Sequence, residues 1–314
     1  MELYRKYRPE TFADVRGQRE AVGIIKGWLF KNAVPHAIML EGPSGCSKTT
    51  LARILAKELG ATSALDYQEI NVSEDRGVDM VSALGDDVKR NISGGNRVWV
   101  LDEVHGMTKS GQNSLLKKLE EAPAYAYFVL CTTDSQKLLA TVLNRCSRIK
   151  IKELDEKSLG EIIDRVASGE GRELSPEVRD AIIRYAAGSG RKAVVKLEQC
   201  LAATKTENML AIVEQDVKYE YAIRDLCEIF TGGKQATWKD VATIYASLED
   251  DAETIRRSVL GWVATALTRG YSRTIPDQLL ADILRIFQFN TYDSGKPQLL
   301  LMVYDAWRLM KKLK

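Results

Sequence analysis

Apolar positions in the first half of the chain fall into short runs, separated by stretches in which they recur every three or four residues. The runs Ala37 to Glu41, Tyr67 to Val72, Arg97 to Leu101, Tyr127 to Thr132 and Arg148 to Ile151 predict strands. Between them, Thr49 to Leu59, Val78 to Asn91 and Lys109 to Glu121 carry helical spacing, and Pro123 stops the last. Apolar strands alternating with helices predict an α/β fold built on a parallel sheet. Beyond Ile151 the strand signals cease. Helices are expected over Asp155 to Ser168, Ser175 to Ala187 and Arg191 to Ala203, with Ser175 as N-cap and Pro176 in the first helical position. The polar stretch Thr204 to Asn208 reads as a linker. From Met209 the pattern is helical to the end, as in Ile255, Val259, Trp262, Val263, Ala266 and Leu267. The expected layout is an α/β domain over 1–152, a small helical lid over 153–206 and an all-α domain over 207–314.

Composition narrows the function classes. The 314 residues are 45% apolar and 28% charged, the balance of a globular chain of about two domains. The 45 Lys+Arg against 43 Asp+Glu leave a formal charge of +2, so no global basic field argues for nucleic acid and only local patches could. No apolar run approaches the ~18 residues of a membrane span, and the opening MELYRKYRPETF has no apolar signal core. A cytoplasmic protein without membrane contact is expected. Cys46, Cys131, Cys146, Cys200 and Cys227 are scattered without a C-x-x-C pair, and the histidines are His36 and His105. That pattern supports neither a zinc site nor a disulfide framework.

The most specific chemistry lies between the first strand and the helix after it. Gly42, Pro43, Ser44, Gly45, Cys46, Ser47, Lys48 and Thr49 form a phosphate-binding loop in the required strand–loop–helix context, with Thr50 next in the helix. Backbone N–H groups of such a loop and the helix N-terminus wrap a phosphate chain. Lys48 would reach the terminal phosphates of ATP and the Thr49 hydroxyl would bind Mg²⁺. Ser47 departs from the pattern, because it stands where the motif has its second glycine; a Cβ there restricts positive φ.

Downstream, the apolar strand Val98 to Leu101 ends in Asp102 and Glu103. Asp102 would hold Mg²⁺ through water, and Glu103 could polarise the attacking water as general base. His105 nearby reads as a loop residue rather than a catalyst. Phosphoryl transfer also needs cations for charge building on the γ-phosphate. Arg145, beyond the fourth strand, and Arg191, opening a helix after Gly188-Ser189-Gly190, are the candidates.

Taken together these residues resemble the AAA+ clamp loader ATPases: the small subunits of replication factor C, the bacterial gamma/tau subunit and the phage large clamp loader subunit. The resemblance runs from Leu3 to Ala203. Lys6-Tyr7-Arg8-Pro9 and Phe12 to Gln18 look like the family's N-terminal segment over the adenine. Asn71 to Asp79 is similar to a replication factor C motif, and Leu115 to Ala122 and Cys131 to Lys137 to bacterial ones.

The resemblance implies sensor 1 at Thr133, an arginine finger given to the neighbour's ATP at Arg145, and sensor 2 at Arg191. Tyr4, Tyr7, Arg8, Val15 and Arg16 would frame the adenine. It further implies a pentameric ring with copies of this chain and at least one different subunit, opening a sliding clamp on primer–template DNA. The C-terminal helices would form a collar, where Trp262, Leu299, Leu300 and Trp307 suit helix packing. Arg76 and Lys109 are the candidates for DNA phosphates. The zinc module that gamma/tau subunits carry after the P-loop helix has no counterpart, since Leu59 to Gln68 holds no cysteine. Without that module or a long C-terminal extension in the sequence read, the resemblance is expected to be greatest to a phage or other minimal clamp loader. Two alternatives stay open: a subunit that binds ATP without hydrolysing it, and another AAA+ motor such as a helicase loader or a Holliday-junction motor.

Overall fold

The computed structural model describes residues 2–72, 81, 95–203, 205–248, 251–269 and 275–311. Arg76 and nearly all of the helix expected over Val78 to Asn91 lie outside the described residues. Two compact units divide the chain, Met1–Leu210 and Ala211–Lys314.

In the first unit, α1 (Leu3–Lys6) and α2 (Arg19–Phe30) precede the sheet. There follow β1 (Ala37–Glu41), α3 (Lys48–Glu58), β2 (Tyr67–Asn71), β3 (Arg97–Asp102), α4 (Lys109–Glu120), β4 (Ala126–Thr132), α5 (Ala140–Arg145) and β5 (Ser147–Lys150). Each strand lies within a residue of the span its apolar run predicts. All neighbours pair in parallel, in the order β2-β3-β4-β1-β5. Alternation along the strands serves two buried faces. Ile38, Leu40, Val98, Val100 and Val129 pack with Leu51, Ile54 and Leu55 of α3. Met39, Trp99, Leu101, Phe128 and Leu130 pack with Leu115 and Val142 from the other side.

Strand β1 sits between β4 and β5, so the chain order reverses beside it, and a crevice opens at the carboxyl ends of the strands. Its end is held from both sides: Gly42 N–H donates to Thr132 O at 3.1 Å and Ile151 N–H donates to Glu41 O at 2.7 Å. A Cβ on Gly42 would stand 2.1 Å from Ile151 O, a backbone atom inside the same ladder.

Three helices follow, α6 (Glu156–Gly169), α7 (Pro176–Ala186) and α8 (Gly190–Leu201). Asp155, Ser175 and Ser189 cap them, each side chain accepting from the backbone N–H three residues on. Leu159, Ile163, Ile182 and Leu197 bury the shared apolar faces.

The expected linker is corrected. Thr206 to Asn208 form the first turn of α9 (Thr206–Phe230), a helix of 25 residues. These polar side chains are exposed while Met209 is buried, which is the pattern of an amphipathic helix start rather than of a break.

The second unit continues with α10 (Trp238–Ala246), α11 (Ala252–Arg269), α12 (Asp277–Ile286) and α13 (Gly295–Lys311). Its core includes Leu226, Phe230, Ile255, Val259, Val263, Ile283, Phe287, Leu299 and Val303. Of the residues expected to serve helix packing, Leu299 is buried and Trp307 packs at the core's edge, but Trp262 and Leu300 remain 42% and 36% exposed. The carboxylate of Glu253 is buried against Arg256, whose guanidinium holds it well below the usual carboxylate range.

Because the space beside Gly42 is filled by main chain, Gly42→Ala should lower the unfolding free energy by about 1–3 kcal/mol, the scale of an overpacked site. Urea denaturation checks this.

Candidate functional site

The loop after β1 turns through two residues of positive φ, Gly45 at 74° and Ser47 at 76°. The first needs glycine on two counts: its φ, and a Ser189 Oγ only 2.2 Å from where its Cβ would stand. Ser47, the departure seen in the sequence, takes the same left-handed conformation that glycine would, and the loop keeps its course into α3. Cys46 is buried beneath the loop, with Sγ 3.4 Å from Gly188 O. Gln18, also buried, donates to Cys46 O at 3.4 Å and to Lys152 O at 2.7 Å, which fixes the loop to the segment leaving β5. Arg191 N–H donates to Gly45 O at 3.3 Å, so the lid helix α8 starts against the loop itself.

Polar groups converge at the carboxyl ends of β1, β3 and β4. Lys48 Nζ donates to Gly42 O at 2.9 Å and Pro43 O at 2.8 Å, curled over the loop. Thr49 Oγ1 donates to Asp102 Oδ2 at 2.8 Å, and the other oxygen, Oδ1, accepts from Glu103 N–H at 3.0 Å. Glu103 has a left-handed backbone, φ 52°, uncommon for a residue with a side chain and of the kind that collects at functional sites. Thr133 Oγ1 donates to Glu103 Oε2 at 3.4 Å. His105 Nδ1 lies 3.2 Å from that same oxygen, a contact that reading His105 as a loop residue missed.

One pocket joins Ser44, Gly45, Ser47, Lys48, Thr49, Thr50, Asp102 and Glu103 to Tyr4, Tyr7, Arg8, Arg16 and Arg191. Arg8 Nε donates to the buried Thr50 hydroxyl at 3.1 Å. Burial, and then the nearby Arg53 charge, holds its guanidinium below its ordinary pKa. Arg191 lies over the Tyr4 ring, 5.5 Å from its centroid. The lining carries Lys48 and four arginines, Arg8, Arg16, Arg165 and Arg191, beside the carboxylates Asp14, Asp102, Glu103 and Glu161, a mixed set that suits a polyanion together with its cation.

The donor set also fits magnesium, which takes few protein ligands, typically a carboxylate and a hydroxyl beside phosphate oxygens. Thr49 and Asp102 supply that pair. Among the described residues no cluster of three or more His, Cys, Asp or Glu forms a dedicated metal cage.

Arg16 lines the pocket paired with Glu161 at 3.0 Å, while several other expected residues stand elsewhere. Val15 packs against the sheet core. Arg145 points from the end of α5 to Glu120 on α4, 2.8 Å away and outside the pocket. Lys109 is exposed at the start of α4. The sequence reading missed Glu161, Ile162, Arg165 and Val166 of α6, and Val194 of α8, which wall the pocket. Their spacing of three and four on one helix face was the available signal, but the chemistry of the face depends on the lid folding back over the loop.

Residues 66–155 match the family model for the DNA polymerase III delta subunit, and residues 1–90 that for the Rad17 P-loop domain. The chain is 32% identical over 225 residues to the DNA polymerase III subunit gamma/tau of Mycobacterium tuberculosis, covering 64% of this chain and 39% of that protein. To the tau subunit of Escherichia coli it is 33% identical over 222 residues, covering 64% and 34%. The chain thus spans well under half the length of these relatives. Among solved structures, the Thermotoga maritima RuvB Holliday junction branch migration motor aligns at TM-score 0.60 with 21% identity, over 83% of this chain and 91% of that one. At that identity the likeness shows the fold alone. No described helix is long and apolar enough to cross a membrane.

The positive φ at residue 47 disfavours any side chain, so Ser47→Gly should raise the unfolding free energy by about 0.5–1 kcal/mol. Equilibrium denaturation of the two proteins measures it.

Proposed function

We propose that this chain is an AAA+ clamp loader ATPase subunit, which hydrolyses ATP to open a sliding clamp and load it on primer–template DNA. One observation carries the catalytic part: the Thr49–Asp102 hydrogen bond, with Glu103 and Thr133 beside it, in reach of a pocket that Lys48, Arg8 and Arg191 line. Loop N–H groups and the α3 N-terminus would receive the phosphates. Lys48 would exchange its two carbonyl partners for phosphate oxygens. Arg8 and Arg191 would add charge along the chain of phosphates, and the segment around Tyr4, Tyr7, Val15 and Arg16 would frame the adenine.

Magnesium held by Thr49 and Asp102 would neutralise phosphate charge. Glu103 would take the proton of the attacking water, with the Thr133 hydroxyl fixing the same neighbourhood. Arg145 stands on the surface, away from its own pocket, which supports its service to a neighbour's ATP. That arrangement ties hydrolysis to subunit packing, in a pentameric ring of this chain with at least one other subunit. Lys109 would meet DNA phosphates, as would Arg76. The setting would be the cytoplasm of a bacterial or phage-infected cell. Ser47 motivates a non-hydrolysing role, yet its backbone already holds the loop conformation.

Turnover by the purified chain, with its partner subunit, should be low alone and rise sharply with primed DNA and the cognate clamp together. Glu103→Gln should lower kcat by about 100-fold or more while ATP affinity is kept. Full turnover by that variant, or no stimulation by clamp and DNA, would count against this function.

A further inference from the structure

His105 stands in the single 3-10 turn Val104–Gly106 that follows β3. Its side chain is 20% exposed, and its Nδ1 lies 3.2 Å from Glu103 Oε2 and 3.2 Å from Thr132 Oγ1. Thr132 ends β4, is fully buried, and its hydroxyl accepts from Asp134 N–H at 3.0 Å. A carboxylate oxygen only accepts, so the nitrogen facing it carries the ring proton, and that one N–H is shared between Glu103 Oε2 and the Thr132 hydroxyl oxygen, both accepting. The imidazole therefore bridges the end of β4 to Glu103, whose backbone is left-handed.

Glu103 needs such support. Its side chain is 33% exposed and its backbone is left-handed, so neither burial nor a helix or strand ladder sets the direction of the carboxylate. Among the described residues, the polar side chains on that carboxylate are His105 and Thr133, both on Oε2. Two donors on one oxygen orient the group and leave the other oxygen to take a proton. Of the two contacts, the Thr133 one is longer and more exposed.

We propose that His105 is the positioning residue of Glu103: its Nδ1–H, braced by Thr132, holds Oε2 so that the carboxylate presents its other oxygen to the attacking water. The proposal rests on Glu103 being the general base. It requires no charge on the imidazole and no proton transfer through it, because the ring acts only as a fixed donor.

Three full-length variants, assembled as the wild type is, test it through kcat, KM and the affinity for a fluorescent ATP analogue. His105→Ala should lower kcat by about 10- to 100-fold, the worth of a hydrogen bond to a charged group, with KM and affinity little changed. His105→Asn, whose amide N–H falls near the position of Nδ1–H, should recover most of the rate. His105→Gln, whose amide reaches instead toward the place of Nε2, should not. The Asn and Gln pair keeps the test alive if the alanine variant fails to fold, since both retain a polar side chain in the turn.

Wild-type kcat in His105→Ala, equal rates in the Asn and Gln variants, or a loss that appears in affinity rather than kcat would each overturn the proposal. An inactive wild type, or Glu103→Gln as active as the wild type, would instead overturn the reading of Glu103 itself, whatever the histidine variants do.

Discussion

The site depends on how the main chain leaves β1. Gly42 N–H is bound to Thr132 O on one side, Glu41 O accepts from Ile151 N–H on the other, and the space where a side chain would stand is filled by Ile151 O. With its entry fixed by two neighbouring strands, the loop has one course into α3. That course sets Thr49 against Asp102 at the end of β3, and brings Gly45 under the start of the lid helix α8. A parallel sheet with both faces buried makes this possible, because its strand ends cannot shift without disturbing apolar packing on two sides.

Chemistry follows from the same geometry. The ends of β1, β3 and β4 lie side by side, so groups far apart in sequence meet within hydrogen-bonding distance. Asp102 spends its two oxygens on Thr49 and on the N–H of Glu103. Glu103 in turn is contacted from β4, through Thr133 directly and through Thr132 by way of His105. Cations close the far side of the cavity: Arg8, half-buried on Thr50, and Arg191, resting over Tyr4. Arg8, partly removed from water, keeps an unmet attraction for an anion.

What could be read from the sequence was local. Continuous apolar runs marked the strands of a doubly covered sheet, and the loop between β1 and α3 declares its chemistry in eight consecutive residues. Asp102 and Glu103 were legible for the same reason, at the end of an apolar strand. Contacts made by folding were not. His105 meets Thr132 only because β4 lies next to β3, and Ile162, Val166 and Val194 become pocket walls only when the lid packs over the loop. The misread linker has another cause: Thr206 to Asn208 are polar because they face solvent on the first turn of α9, and local polarity alone cannot separate an exposed helical turn from a break. Trp262 and Leu300 show the converse, since helical apolar spacing does not say which large side chains stay outside the core.

We propose that each ATP site is finished by a neighbour's Arg145. The Arg145–Glu120 pair is half-exposed on both sides, so it adds little to stability and its loss should leave the fold intact. The most direct measurement mixes two assembled variants, Glu103→Gln and Arg145→Ala, each inactive on its own. At interfaces where the pocket of an Arg145→Ala subunit meets the arginine of a Glu103→Gln subunit, one complete site is restored, and the mixture should hydrolyse ATP. A mixture as inactive as its components, although the subunits exchange, would contradict completion in trans.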